Sequence, residues 1–380
     1  MGSRRQLGRI RRLVVKVGTG LITTPSTGPD RRRIAALAAD IVAARADGSR
    51  DVVLVTSGAI ATGMARLALP ERPRSMPDKQ AAAAVGQSTL MRHYEVAFKR
   101  HGLGVGQVLL TAQDISDRAR YLNARNTLRA LLRFGVLPIV NENDTVAVEE
   151  IKVGDNDNLS ALVASLIDAD LLVLLTDVDG LYTANPTVSE DARMIETVEE
   201  ITDEIASLVW EGSGRGSVGG MATKLQAAQK AAAAGVPMII ANGRAEGVLA
   251  RLLRGEGLGT YFAPKADRLG ARKRWIAFAV PPQGRLTVDA GAVRALTLDG
   301  KSLLPSGVVG VEGDFAAGAV VAVAGLVDGG DGGREFARGL VNFDAPEVRR
   351  ILGAKTREIE QRLGYKSFDE VIHRDNLVIL

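Results

Sequence analysis

The chain has no cysteine, which excludes disulfide scaffolds, zinc ribbons, iron–sulfur clusters and thiol catalysis together. Histidine is almost as scarce. His93, His101 and His373 are the only three, and their scatter leaves little for a histidine metal site or a serine–histidine triad. They read as surface or packing residues. No apolar run approaches the roughly 18 residues that a membrane span needs, because the richest stretch, Leu166–Leu175, contains Asp168 and Asp170. The basic N-terminus (Arg4, Arg5, Arg9, Arg11, Arg12) is followed by an apolar run that Lys16 breaks, too short for the core of a secretion signal. A cytoplasmic, soluble chain with no membrane partner is expected.

What is present is ordinary globular material. A length of 380 residues with 46% hydrophobic and 24% charged positions points to two domains, three at most, and excludes a disordered or collagen-like chain. The net charge is +4 and the pI about 9.3, so the charge has to be placed. Residues 276–380 hold 12 Lys+Arg against 14 Asp+Glu, and the remainder holds 36 against 30. Between Lys265 and Arg274 five basic residues face only Asp267. That is a basic connector without a basic domain.

Short continuous apolar runs alternate with longer amphipathic ones through the first two-thirds. Leu13–Val17, Val52–Thr56, Val105–Leu110, Val136–Val140, Leu171–Leu175 and Val236–Ala241 read as strands buried on both faces. Arg31–Ala46, Lys79–Lys99, Ser116–Arg133, Asn158–Ile167 and Ala222–Ala234 read as helices, and the alanine runs Ala81–Ala84 and Ala231–Ala234 as close-packed helix faces. This repetition predicts an open, mainly parallel sheet sandwiched by helices. After Pro264 the texture becomes short alternating segments between Gly- and Pro-rich turns, with a hairpin tip at Gly329–Gly333 and a late helix near Pro346–Ala354. A small, mostly β, barrel-like domain is predicted there. The division is 1–264, a basic linker at 265–275, and 276–380 with its core at about 283–361.

Loops that carry chemistry follow the strand candidates, where parallel sheets bind ligands. Lys16-Val17-Gly18-Thr19-Gly20 offers a bare backbone and a point charge to a phosphate. A plain strand-to-helix turn accounts for its glycines as well. Thr23 occupies the third glycine position of a dinucleotide fingerprint, so that fold loses ground. Ser57 and Gly58 open a second loop, suited either to an anion or to a simple helix cap; no acid or histidine beside Ser57 makes it a nucleophile. Between Asn141 and Asn158 stand six acids, four asparagines and one base, Lys152. Such a run is usually solvated, but here it follows an apolar strand and suits a zwitterionic ligand. Ser217–Lys224 opens a helix with Gly219 and Gly220; it is no Walker A loop, yet it makes a plausible phosphate cradle. Thr176-Asp177 ends another strand, holding a nucleotide or merely turning.

Together these pieces suggest phosphoryl transfer without a P-loop. Lys16 and Lys224 would flank the transferred group, and Asp157 would orient them. A carboxylate acceptor, with a pKa of roughly 4.3, is ionised at pH 7 and needs no general base.

The segments Val14–Thr19, Val55–Ile60, Tyr121–Arg125, Asn141–Asp144, Ile151–Ala161, Gly219–Lys224 and Arg272–Trp275 resemble the bacterial glutamate 5-kinase family of amino-acid kinases, almost end to end. The last hundred or so residues resemble the PUA module that long members carry. The resemblance implies ATP-dependent phosphorylation of the side-chain carboxylate of L-glutamate, at the head of proline synthesis. It implies catalytic Lys16, Lys224 and Asp157, and a glutamate site of Ser57, Gly58, Asp144 and Asn156. Nucleotide contacts would come from Lys16, Gly18, Thr176, Asp177, Val218, Gly219, Gly220, Met221, Ala222, Thr223 and Lys224. Mg²⁺ would travel on the ATP phosphates, not in a protein metal cage. Homo-oligomers (dimer or tetramer) and inhibition by proline are implied too, with Asp114, Glu150 and Asp155 at positions linked to that control. Thr19-Gly20 departs from the Thr-Ser common in relatives, and Gly329–Gly333 looks longer than usual. Kinases of aspartate or acetylglutamate are the nearest rivals, and the Asn156-Asp157 run and the second domain count against them. A non-catalytic scaffold is a further alternative that the two intact lysine loops oppose. RNA binding is known of PUA modules elsewhere, but a domain net charge of −2 argues against strong backbone binding.

Overall fold

The run Leu-Leu-Val-Leu-Leu-Thr at 171–176 is a strand in which every residue is buried, and the first unit is built around it. In the computed structural model the described residues are 7, 10–24, 28–146, 155–186, 188–208, 220–265, 273, 276–277, 280–326 and 333–380. The chain divides into two compact units, residues 1–268 and 269–380.

The strands of the first unit are β1 (Arg12–Val17), β2 (Thr23–Thr24), β3 (Gly28–Pro29), β4 (Asp51–Val55), β5 (Val105–Leu110), β6 (Leu137–Glu142), β7 (Leu171–Thr176), β8 (Thr197–Val198), β9 (Met238–Asn242) and β10 (Thr260–Phe262). Eight form one sheet in the order β5-β6-β4-β1-β7-β9-β10-β8, and β2 with β3 makes a separate two-stranded hairpin. Every pairing in the large sheet is parallel except β9 with β10. β1 is central: Lys16 pairs with Val55 of β4 on one side, and Val17 with Leu175 of β7 on the other. The chain therefore leaves β1 toward β4 and returns on its other side at β7. Such a reversal opens a crevice at the strands' carboxyl ends.

Leu13, Val15 and Val17 on β1 pack with Val173 and Leu175 on β7 and with Ile34, Ala38 and Ile41 of the helix Arg31–Ala44. That helix starts where Asp30 accepts hydrogen bonds from the N–H groups of Arg32 and Arg33, the usual satisfaction of orphan donors. Asp40, farther along it, accepts from Leu249 and Ala250 N–H at 3.0 and 3.4 Å and so caps the helix Val248–Leu253. Two other helices, Ala59–Arg66 and Met76–Lys99, meet backbone to backbone. A Cβ on Gly63 would stand 1.7 Å from the Ala82 carbonyl oxygen, and one on Gly86 would stand 1.8 Å from that of Ala59. Ala82 and Ala83 are buried in this seam, as a close-packed face requires, while Ala81 and Ala84 are exposed.

The differences from the sequence-based expectations have local causes. β5 is an edge strand whose residues are mostly half-buried, not one covered on both faces. The helix expected over 116–133 is two helices, Ala112–Ser116 and Arg118–Arg133, because Asp117 takes an extended backbone and caps the second through Arg120 N–H. Lys79–Lys99 begins earlier, at Met76, behind the capping hydroxyl of Ser75. β8, β10 and the helix Val248–Leu253 carry too few residues for a periodic signal.

The second unit has its own core, in which Leu286, Val288, Val321 and Val323 meet Phe343, Val348 and Ile351. Its strands are β11 (Gly284–Val288), β12 (Val308–Gly313), β13 (Val320–Gly325), β14 (Glu335–Leu340) and β15 (Leu377–Ile379), in the order β12-β11-β13-β14-β15. The late helix is Ala345–Ile351, with Asp344 and Glu347 forming a reciprocal capping box. The helix Ala290–Thr297 was not anticipated. Most of the expected hairpin tip lies outside the described residues.

Candidate active site

Lys16 is the penultimate residue of β1, so its side chain leaves the sheet at the mouth of the crevice. The Gly18 N–H is tied to the Leu175 carbonyl at 3.3 Å. A Cβ on Gly18 would lie 3.9 Å from Lys16 Nζ, which places the ammonium over bare backbone. Asp157 comes from the first turn of the helix Asp155–Leu166, and Lys224 from the first turn of Met221–Ala233. Those two helices bring residues far apart in sequence into one cluster. Asp157 Oδ1 is 2.5 Å from Lys16 Nζ, and its Oδ2 is 3.4 Å from Lys224 Nζ. The Thr223 hydroxyl donates to Asp157 Oδ2 at 2.8 Å, and Ser160 donates to the Asp157 carbonyl at 2.6 Å. Asp157 is fully buried, and each lysine is 7% exposed.

Burial favours the neutral acid at Asp157, but the attraction of Lys16 and Lys224 prevails and holds its carboxyl below the usual range. Burial pushes the Lys224 ammonium below the usual lysine range, and proximity to Lys16 adds to this against the opposing pull of Asp157. One fully buried carboxylate thus lies between two buried ammoniums, with Asp177 also pulling on Lys224, and an anion placed between the lysines would be attracted to both.

On the β7 side of β1, the Thr176 hydroxyl donates to Asp177 at 3.2 Å. Asn242, at the end of β9, donates to Asp179 at 2.9 Å. Gly220 is the residue before the first turn of Met221–Ala233 and has no side-chain cap, so the amides of Met221 and Ala222 stand at the end of a 13-residue helix, while that of Thr223 donates to the Gly220 carbonyl at 3.2 Å. Such an end attracts phosphate. Val218 and Gly219 lie outside the described residues.

On the β4 side, Ser57 and Gly58 link β4 to the helix Ala59–Arg66. Gly58 is its N-terminal residue with φ of 99°, and no side chain caps it; Ser57 is therefore not the cap that one reading of the sequence allowed. Thr56 beside it is locked by a 2.7 Å hydrogen bond with Tyr94 OH, and burial raises the Tyr94 phenol well above its usual range. Asn141 is the penultimate residue of β6, and Asp144, 9% exposed, follows shortly after. The Oδ1 atom of Asn156, next to Asp157, is buried without a hydrogen-bond partner.

The three residues singled out for regulation are not assembled by the described structure. Asp114 forms a capping box with Thr111 and accepts from Arg120 at 2.8 Å. Glu150 lies outside the described residues, as does the side chain of Asp155. Sequence reasoning missed the Thr56–Tyr94 lock and the link of Gln87 to Asn141, where Asn141 Nδ2 donates to Gln87 Oε1 at 2.8 Å. Neither Tyr94 nor Gln87 stands in a glycine-rich or acidic loop; both lie on the helix Met76–Lys99.

A pattern described as the amino acid kinase family matches residues 11–242, which is most of the chain. The chain belongs to the amino acid kinase family. A PUA domain pattern matches residues 284–363 of this kinase. The kinase is 54% identical to a glutamate 5-kinase of Moorella thermoacetica over 374 residues, covering 98% of this chain and 97% of that one. Proteins of the same name from Geobacter sulfurreducens and Pelobacter propionicus are each 50% identical, over 98% and 99% of this kinase and 99% and 100% of their own lengths.

Proposed function

We propose that this kinase transfers the γ-phosphoryl group of ATP to the side-chain carboxylate of L-glutamate, giving L-glutamyl 5-phosphate, the opening step of proline synthesis. The observation that carries the reading is the Lys16–Asp157–Lys224 cluster at the strand switch point. The near full-length similarity to glutamate 5-kinases supplies the acceptor.

The glutamate carboxylate, already ionised at pH 7, attacks the γ-phosphorus in line. A carboxylate O–P bond forms, the bond to the β-phosphate bridging oxygen breaks, and ADP leaves with that electron pair. No proton moves, so no general base is required. Both reactants are anions, and Lys16 and Lys224 neutralise charge around the transferring group. Asp157 holds both ammoniums in position and Thr223 holds Asp157. Gly220 to Thr223, Thr176 and Asp177 take the nucleotide. Ser57 and Gly58 take a carboxylate, Asp144 the ammonium group, and the unpartnered Asn156 Oδ1 accepts from the amino acid.

A divalent ion fits this donor set when it comes with the nucleotide. Asp157 is fully engaged by lysines, and no group of three acidic or histidine side chains converges among the described residues. Mg²⁺ bound to ATP would supply charge neutralisation on the β- and γ-phosphates. The division at 1–264, 265–275 and 276–380 is part of the same reading, supported by separate cores. So are a cytoplasmic location, a homo-oligomer and feedback by proline through Asp114, Glu150 and Asp155, which rest on resemblance to the family. No helix among the described residues is long and apolar enough to cross a membrane.

The test is ADP release with Mg-ATP and L-glutamate beside L-aspartate, N-acetylglutamate and no acceptor, with hydroxylamine trapping the acyl phosphate. Glutamate-dependent ADP with matching hydroxamate is expected. Absence of turnover with any acceptor, from folded protein that binds ATP, would overturn the reading in favour of an RNA-linked or partner-dependent role.

A further inference from the structure

Gln87 sits on the helix Met76–Lys99, beside the Gly86 that touches the Ala59 carbonyl. The helix meets the start of Ala59–Arg66 without a gap, and its Tyr94 holds Thr56, the residue before the Ser57-Gly58 loop. The same glutamine reaches the end of β6. Asn141 Oδ1 accepts from the Glu142 N–H at 2.9 Å, and Asn141 Nδ2 donates to Gln87 Oε1 at 2.8 Å. A backbone N–H can only donate, so this chain fixes both amides. The Asn141 oxygen must face Glu142, its nitrogen must face Gln87, and the Gln87 nitrogen must point elsewhere.

That nitrogen, Nε2, is buried and has no hydrogen-bond partner. A buried donor without an acceptor costs about 1–3 kcal/mol, and native proteins rarely keep one without a reason. Its surroundings say what the acceptor is. β4 and β6 are neighbours; the loops leaving their carboxyl ends carry Ser57, Gly58 and Asp144, and Asn141 is the last residue but one of β6. Thr176, which ends β7, and Asp177 after it, the residues proposed for the nucleotide, lie on the other side of β1.

We infer that Gln87 is a further substrate residue, whose Nε2 donates a hydrogen bond to a carboxylate oxygen of the amino-acid acceptor. The inference rests on the acceptor reading above. Gln87 then does two things: its oxygen steadies Asn141, and its nitrogen reads the substrate.

The test is steady-state kinetics of full-length Gln87→Met, which keeps volume and loses the donor, and Gln87→Glu, which presents a carboxylate in its place. Losing a hydrogen bond to a charged group corresponds to roughly 10- to 150-fold. Gln87→Met is expected to raise the glutamate KM by about that factor, with Gln87→Glu worse, while the ATP KM at saturating glutamate changes less than about threefold. An unchanged glutamate KM in either folded variant would overturn the inference, as would equal rises in both KM values. Repeating Gln87→Met in an Asn141→Ala background separates contact from positioning. A persisting rise supports the contact, and disappearance of the rise shows that Gln87 acts only through Asn141. Wild-type protein that turns over no glutamate would instead sink the acceptor reading itself.

Discussion

Asp157 engages its two lysines through different oxygens, Oδ1 at 2.5 Å from Lys16 Nζ and Oδ2 at 3.4 Å from Lys224 Nζ. The carboxylate holds the cations apart while keeping both at the mouth of β1. Two buried ammoniums beside one buried carboxylate are costly to keep charged in the empty protein and attract phosphate. The same arrangement therefore governs both turnover and stability.

Lys16→Ala and Lys224→Ala should each lower kcat by about 10²-fold or more, the usual effect of removing preorganised charge. Saturation kinetics separate this from weaker ATP binding. Unchanged kcat in a folded variant would remove that lysine from the mechanism.

Stability should move with pH in two opposite-looking ways that share one sign. The Asp157 carboxyl is held below its ordinary 3.8, so the native state binds fewer protons there than the unfolded chain does. Its contribution is complete above 3.8 and is lost as the pH falls through the folded value. The stability gap between wild type and Asp157→Asn, read by urea unfolding, should shrink in that acid window. Lys224, held below 10.5, also gives the native state fewer protons, and stability should rise as pH climbs toward 10.5. Replacing it with an uncharged chain removes that cost. Lys224→Met is expected to be more stable than wild type at pH 7, on the order of 1 kcal/mol, and inactive. Destabilisation by this variant would contradict the charge argument.

Gly86→Ala and Gly63→Ala test how the Ser57-Gly58 loop is held. Each Cβ would fall within 2 Å of a carbonyl oxygen of the facing helix, so the helices must part. Overpacking of this kind costs about 1–3 kcal/mol. In the protein that still folds, the glutamate KM should rise more than the ATP KM, because the displaced helix begins at Gly58. Equal effects on both would place the seam away from acceptor binding.

How far the sequence could be read depended on the range of each signal. The sheet was legible because buried strands are continuous apolar runs, as at Leu171–Thr176, buried throughout, and Met238–Asn242, buried but for its last residue. The edge strand Val105–Leu110 looked the same on paper, since a run of apolar letters does not say which face lacks a neighbour. Lys16, Asp157 and Lys224 could be named together because glycine-rich and acidic loops mark strand ends. Their distances could not, because Asp157 and Lys224 meet only through the packing of two helices. Gln87 carried no local signal at all. It lies in an alanine-rich helix, and its meaning comes from the Asn141 amide that the fold sets against it.

Thr223 offers the finest test of the cluster, because its hydroxyl has one proton and two acceptors within reach, Asp157 Oδ2 at 2.8 Å and the Gly220 carbonyl at 2.9 Å. The nearer, charged acceptor binds more strongly, so the proton steadies Asp157 and, through it, Lys224. Thr223→Val keeps the shape and removes the proton. A kcat loss of about tenfold is expected, corresponding to one ordinary hydrogen bond to a charged group. Thr223→Ser restores the hydroxyl and should recover most of the rate. If Val and Ser perform alike, the hydroxyl plays no part in setting the lysines.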